Sequence, residues 1–160
     1  MNEKDHKLIL GWREWVALPD LGLPAIKAKV DTGARTSALH AFNIQLYKDN
    51  GIEMLRFFVH PIQKNHDFYI ECTAPVKDRR LVTDSGGHRE LRYVIETDIV
   101  VANLSYPTEL TLTDRDTMRF RMLLGRSAMK NLIVVDPGTS FICSKPDINT
   151  VYNFKPEVDK

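Results

Sequence analysis

Alternation of apolar and polar residues at a period of two dominates the chain. Ile26, Ala28 and Val30 alternate with Lys27 and Lys29, while Leu55, Phe57 and Val59 share one face of a second run. Thr97, Ile99 and Val101 share a face of a third. Leu110 and Leu112 alternate with Glu109, Thr111 and Thr113, and Met118, Phe120, Met122 and Leu124 alternate with Arg119 and Arg121. Side chains on a strand flip faces at every residue, so each run predicts a half-buried β-strand. Turn chemistry separates the runs at Pro19-Asp20, Asp49-Asn50-Gly51, Asp84-Ser85-Gly86-Gly87 and Pro137-Gly138. Helical signal is confined to about residues 127–131, and residues 132–135 form a continuous apolar run suited to a buried strand. Many short strands with one short helix near the C-terminus predict an all-β closed barrel or sandwich.

With 160 residues, one domain over 1–160 is the simplest division, with a core at about 15–142 and a loosely held tail from about 151. A net charge of +1 gives no support for nucleic-acid or membrane partners. Local charge is less even: Arg79, Arg80, Arg89 and Arg92 lie close together, as do Arg115, Arg119, Arg121 and Arg126. Solvated strand faces are the plain explanation; a basic rim suited to acidic peptides is the sharper one. Cys72 and Cys143 stand far apart in no metal-like spacing, which fits a reduced compartment. The polar start and the lack of any run near the roughly 18 apolar residues of a membrane span point to the cytoplasm.

The segment 28–39 carries the chemistry. A strand runs into Asp31, then Thr32, then Gly33 and Ala34. Gly33 removes a Cβ where backbone and substrate approach, Thr32 can lock the loop by hydrogen bonding, and Asp31 supplies a carboxylate. Alone, the triplet is also compatible with an ordinary turn. A second element, Leu123-Leu124-Gly125-Arg126, lies far along the chain just before the expected helix. Between them, residues 80–93 read as two polar strands around Gly86-Gly87, a hairpin able to act as a mobile lid.

The order of acidic loop, glycine-tipped hairpin and late apolar-Gly-Arg turn resembles the retropepsins. More narrowly, Lys29 to Ala41, Ser85 to Glu90 and Leu124-Gly125-Arg126 resemble a bacterial group labelled ATP-dependent zinc proteases, associated with ATP-grasp ligases that add glutamate to proteins. The resemblance implies a retropepsin-type barrel with Asp31, Thr32 and Gly33 catalytic. Ala34, Arg35, Gly86, Gly87 and His88 would bind substrate, and Leu123, Leu124, Gly125 and Arg126 would support the loop. Retroviral members place an acid where this chain has Arg35, so Arg35 and Arg126 would repel unless bridged, or Arg35 would face the cleft and select acidic substrate.

Aspartic catalysis needs two carboxylates sharing a proton. Asp84-Ser85-Gly86 is a second formal match but lacks a clean apolar strand before it. The expectation is therefore a homodimer with one Asp31 from each chain, hydrolysing acidic or glutamate-modified peptides, with an ATP-grasp ligase as a possible associate. Two alternatives stand beside it. One is a non-hydrolytic peptide-binding accessory protein. The other is a metal-dependent hydrolase using His40 or His88. The histidines His6, His40, His60, His66 and His88 are scattered, and no His-Glu-x-x-His, Cys-x-x-Cys or phosphate-binding glycine loop is present, so no cofactor is expected and zinc is weakly supported. Ser37 and His40 lack an evident acid for a triad.

Overall fold

In a computed structural model, residues 7–83, 86–114 and 119–153 are described. The fold is mostly β. Its strands are β1 (Leu8–Leu10), β2 (Arg13–Leu18), β3 (Leu23–Val30), β4 (Ser37–His40), β5 (Phe42–Asp49), β6 (Ile52–Val59), β7 (Ile70–Pro75), β8 (Asp78–Thr83), β9 (Arg89–Val101), β10 (Leu104–Thr113), β11 (Met122–Leu124) and β12 (Ile133–Val135). Two single-turn helices, α1 (Arg126–Met129) and α2 (Ile148–Val151), complete it. The first lies a residue ahead of the helix expected at 127–131. The second, which was not expected from the sequence, is capped by Asp147 accepting from the Asn149 amide at 3.1 Å. Just beyond it, the Tyr152 hydroxyl donates to the Ala25 carbonyl.

One sheet runs β10-β4-β11-β3-β2-β9-β8, and β10 also pairs with β9. The pairings of six strands thus close into a ring, with β8 added outside it; the narrowest link is the single pair Ala17↔Val100 between β2 and β9. β5, β6 and β7 form a separate three-stranded sheet. The alternation identified the core correctly. Ile26, Ala28, Leu55, Phe57, Val59, Ile99, Val101, Leu110 and Leu124 are all fully buried and belong to one apolar cluster. At the β5–β6 hairpin, Asn50 and Gly51 both take positive φ (51° and 81°), the conformation a two-residue turn demands.

The run 132–135 departs from expectation. β12 is not a buried strand: among the described residues it pairs only with β1, in parallel, and Leu132 and Val134 are exposed. A two-stranded ribbon has no neighbouring layer over its outer face, so apolar composition alone does not bury it. Met118, at the start of the fifth alternating run, lies outside the described residues; later in that run, Met122–Leu124 form β11. No helix among the described residues is long and apolar enough to cross a membrane.

Candidate active site

β11 inserts between β3 and β4, parallel to the first and antiparallel to the second. That placement builds the site, because β3 ends directly before Asp31 and β11 ends directly before Gly125. The Asp31 amide donates to the Leu124 carbonyl at 2.9 Å, and the amides of Arg126 and Ser127 donate to the carbonyls of Ala34 (2.8 Å) and Arg35 (2.9 Å). The acidic loop is therefore fixed by backbone bonds with Leu124, Arg126 and Ser127, a segment remote in sequence.

Gly125 is required by space. A Cβ there would stand 2.6 Å from the Thr36 carbonyl carbon. Its amide donates to the Ser37 hydroxyl at 3.0 Å, and the Thr111 hydroxyl donates to the Ser37 carbonyl at 3.3 Å. Ser37 is fully buried in this network, so its hydroxyl orders the loop and is not presented as a nucleophile. His40, three residues on, is buried as well.

Asp31 is half-buried, and Thr32, Gly33 and Arg35 are exposed. One Asp31 carboxylate oxygen accepts from the Gly33 amide at 2.9 Å, and a Cβ on Gly33 would come within 3.1 Å of that oxygen. Glycine thus leaves the carboxylate uncrowded. The Thr32 hydroxyl makes no hydrogen bond among the described residues; its carbonyl does the fastening, accepting from Arg126 Nη1 at 2.9 Å. This removes the difficulty of two arginines without an acid. Arg126 finds a carbonyl oxygen instead, and Arg35 turns outward.

Arg35 lines two cavities. One, of about 670 Å³, lies between Thr36 and Ser127 on the loop side, residues 80–83 of β8, and Glu96 and Glu109. The other, of about 790 Å³, passes Thr32, Arg126, Met129, Lys130, Ile133 and Val135. Asp31 itself is in the lining of neither. β8 and β9 form the expected hairpin, and Gly87 at its tip takes φ +82°. Gly86, Gly87 and His88 are exposed there and line neither cavity. Leu81 and Leu91 face each other across the hairpin and are both exposed. Of the Asp84-Ser85-Gly86 triplet, Asp84 and Ser85 lie outside the described residues.

Three arginines of this hairpin are paired with acids, which argues against the basic rim that was the sharper of the two readings of them. Arg80 pairs with Asp78 (2.8 Å) and Glu109 (2.6 Å), Arg79 with Glu53 (3.4 Å), and the buried Arg92 with Glu90 (2.9 Å). The hydrogen bond from Arg80 holds the carboxyls of Asp78 and Glu109 below their ordinary range. Beside the acidic loop, Arg35, Arg126 and Lys130 remain as cations with no acid at salt-bridge distance among the described residues.

Sequence reasoning missed Glu14. It is fully buried, and its carboxylate accepts from the amides of Gly11 (2.7 Å), Ile142 (3.2 Å) and Cys143 (3.2 Å). It shares the buried parity of β2 with Val16 and Leu18, and a carboxylate on an apolar parity was the available signal. The segment it fastens reaches the site directly, since the Val30 amide donates to the Trp12 carbonyl at 2.8 Å. As for metals, His60 and His66 do meet, with ring centroids 5.5 Å apart, yet no group of three or more His, Cys, Asp or Glu gathers among the described residues.

An Asp-Thr-Gly loop at the end of one strand, clamped by a later strand and accompanied by a glycine-tipped hairpin, defines a retropepsin-like protein. The chain belongs to the RimB-like family, described as "Retropepsin-like aspartic endopeptidase RimB", whose model matches residues 9–146. Nothing in that description carries the zinc-protease label. Among curated relatives, a "Probable alpha-L-glutamate ligase" of Shewanella pealeana is 50% identical over 137 residues, covering 86% of this chain and 30% of the relative. A protein of the same name from Parasynechococcus marenigrum is 50% identical over 132 residues, covering 82% and 28%. The chain therefore spans under a third of the length of these relatives. A solved structure, the Legionella pneumophila protein Lpg0085 of unknown function, superposes with a TM-score of 0.69 at 28% identity, covering 85% of this chain and 98% of that one.

Proposed function

We propose that the chain is a retropepsin-type aspartic peptidase whose carboxylate dyad forms from Asp31 of two copies. The observation that carries this reading is the clamping of the Asp31 loop by β11 through the Leu124 carbonyl and Arg126. Such fastening fixes a carboxylate in place without spending its own oxygens on distant partners. Among the described residues the chain supplies one such loop, so the ring of paired strands would act as a half-site in a two-fold homodimer. With two carboxylates sharing a proton, one takes a proton from water as the water oxygen attacks the peptide carbonyl carbon. The other donates to the carbonyl oxygen, and the amine departs after protonation. Leu81 and Leu91 on the hairpin would cover the bound chain.

Acidic or glutamate-modified peptides are the substrate class this reading favours. Arg35 borders both cavities, with Arg126 and Lys130 beside one of them. The curated relatives carry a glutamate-ligase name, which makes an ATP-grasp ligase a fitting associate. The test is hydrolysis of a glutamate-extended peptide by the wild-type chain and by Asp31→Asn, with sedimentation of both. Activity in a dimer, lost in Asp31→Asn while the dimer persists, is expected.

A second reading is favoured by the ligase name of relatives in which this chain's counterpart is less than a third of the length. There the cleft would hold an acidic peptide for a ligase without cutting it. Retention of peptide binding with no hydrolysis, in wild type and Asp31→Asn alike, would select it.

A further inference from the structure

Outside the two cavities that Arg35 borders, four segments bring a second set of cations together. Arg13 of β2, Lys27 of β3, Lys64 and His66 between β6 and β7, and Arg119 and Arg121 before β11 line a cavity of about 380 Å³. No acidic side chain is in its lining. Among the described residues, none of Arg13, Lys27, Lys64 and Arg119 has a carboxylate within salt-bridge distance. The cavity beside the hairpin differs, since Glu96 and Glu109 line it.

Aromatic faces, not acids, hold two of these cations. The Arg13 guanidinium lies 4.5 Å from the centre of the Trp12 ring and 4.8 Å from that of Phe141. Lys27 Nζ lies 5.2 Å from Trp15 and 5.3 Å from Phe141. A ring quadrupole orients a cation but leaves its charge uncancelled. Arg13 Nε is buried and has no hydrogen-bond partner among the described residues, and a buried N–H of this kind calls for an acceptor.

Separate segments are also tied around the same space. Gln63 Nε2 donates to the Arg119 carbonyl at 2.8 Å, fastening the loop of Lys64 to the strand approach of Arg119. β2 and β3 fix Trp15 opposite Lys27. Like charges crowded in this way repel, and burial, followed by Arg13 and Lys64, lowers the Lys27 pKa. A negative ligand relieves that repulsion; a surface with free choice of rotamers would simply spread the charges apart.

The geometry points to a dedicated site for a compact oxyanion of at least two negative charges, phosphate or polycarboxylate, held by Arg13, Lys27, Lys64 and Arg119. Guanidinium forks match the oxygens of either group in a bidentate manner. The cavity shares no lining residue with the two that Arg35 borders, and the assignment does not depend on the peptidase reading.

Calorimetric titration of the full chain at low ionic strength, with inorganic pyrophosphate and separately with citrate, tests it. Lys64 and Arg119 are exposed, so Lys64→Ala/Arg119→Ala leaves the core intact, and circular dichroism checks that it does. Saturable one-site binding of at least one probe is expected, weakened about tenfold or more in this double variant. Lys48→Ala/Arg56→Ala, which removes the same charge from residues that line none of these cavities, is expected to bind as the wild type. Preference for pyrophosphate identifies a phosphate ligand, and preference for citrate a carboxylate one. Absence of saturable binding by both probes, or equal weakening in the two double variants, overturns the assignment.

Discussion

Arg126 Nη1 donates to the carbonyl of Thr32 at 2.9 Å across 94 residues of sequence. The bond joins the start of α1 to the middle of the acidic loop, and backbone bonds from Arg126 and Ser127 to Ala34 and Arg35 run alongside it. A guanidinium on a carbonyl does the work an Arg-carboxylate pair would do, without requiring an acid in the loop. Arg126→Met keeps the length of the side chain and loses the donor. Because the bond is exposed, global stability is expected to fall by about 1 kcal/mol or less. Peptide hydrolysis is expected to fall much further, since loop position and not fold is affected. Urea denaturation and a peptide assay on the same preparation check the two effects.

Gly125 and Ser37 set a harsher test of the loop's foundation. Gly125→Ala forces a methyl to within 2.6 Å of the Thr36 backbone, and backbone cannot swing aside as a side-chain end can. A loss of about 1–3 kcal/mol is expected from overpacking. Ser37→Ala removes the acceptor of the Gly125 amide, leaving a buried donor unpaired at a cost of about 1–3 kcal/mol. Denaturant midpoints measure both. Ser37→Cys losing all activity with unchanged stability would instead point to a reacting hydroxyl.

Glu14 predicts the largest single loss outside the apolar core. Glu14→Leu leaves the amides of Gly11, Ile142 and Cys143 without their shared acceptor. The Gly11 amide is a buried donor, whose orphaning costs about 1–3 kcal/mol, and the other two are partly buried and add less, so a total of about 3 kcal/mol is the expectation. Hydrogen exchange at those three amides, fast in Glu14→Leu and slow in the wild type, reports the same event locally.

Acid should loosen the attachment of the hairpin. The Arg80 hydrogen bond depresses the Glu109 carboxyl, so the folded chain binds a proton there less readily than the unfolded one. The pairing therefore contributes its full stability above the ordinary glutamate range and loses it as pH falls through the lower folded value. Glu109→Gln is expected to flatten that part of the stability-against-pH curve, measured by thermal unfolding between neutral and acid pH. An unchanged acid limb would show that the pair adds nothing.

The β-rich architecture was legible because alternation is a local signal: Ile26, Ala28, Leu55, Phe57 and Val59 announce their burial within a few residues of sequence. The Asp31 loop and the Leu124-Gly125-Arg126 turn were legible as motifs, and β11 does bring them together. What escaped depends on partners distant in sequence. Nothing near Ser37 reveals that its hydroxyl receives the Gly125 amide, and nothing near Arg80 reveals that Glu109 neutralises it. Exposure of residues 132–135 was misjudged for the same reason, because burial of an apolar run depends on what covers it. The cations from Arg13 to Arg121 were visible only as scattered charges until four segments placed them around one cavity.

Shared catalysis across two copies is open to one direct measurement. Wild-type and Asp31→Asn chains are unfolded, mixed at varying ratios and constant total concentration, refolded together, and assayed for peptide hydrolysis. If each active centre draws one Asp31 from each chain, mixed pairs are dead and activity follows the square of the wild-type fraction, about one quarter at equal mixing. Activity proportional to the wild-type fraction, about one half at equal mixing, would mean that each chain works alone and would contradict the two-chain dyad.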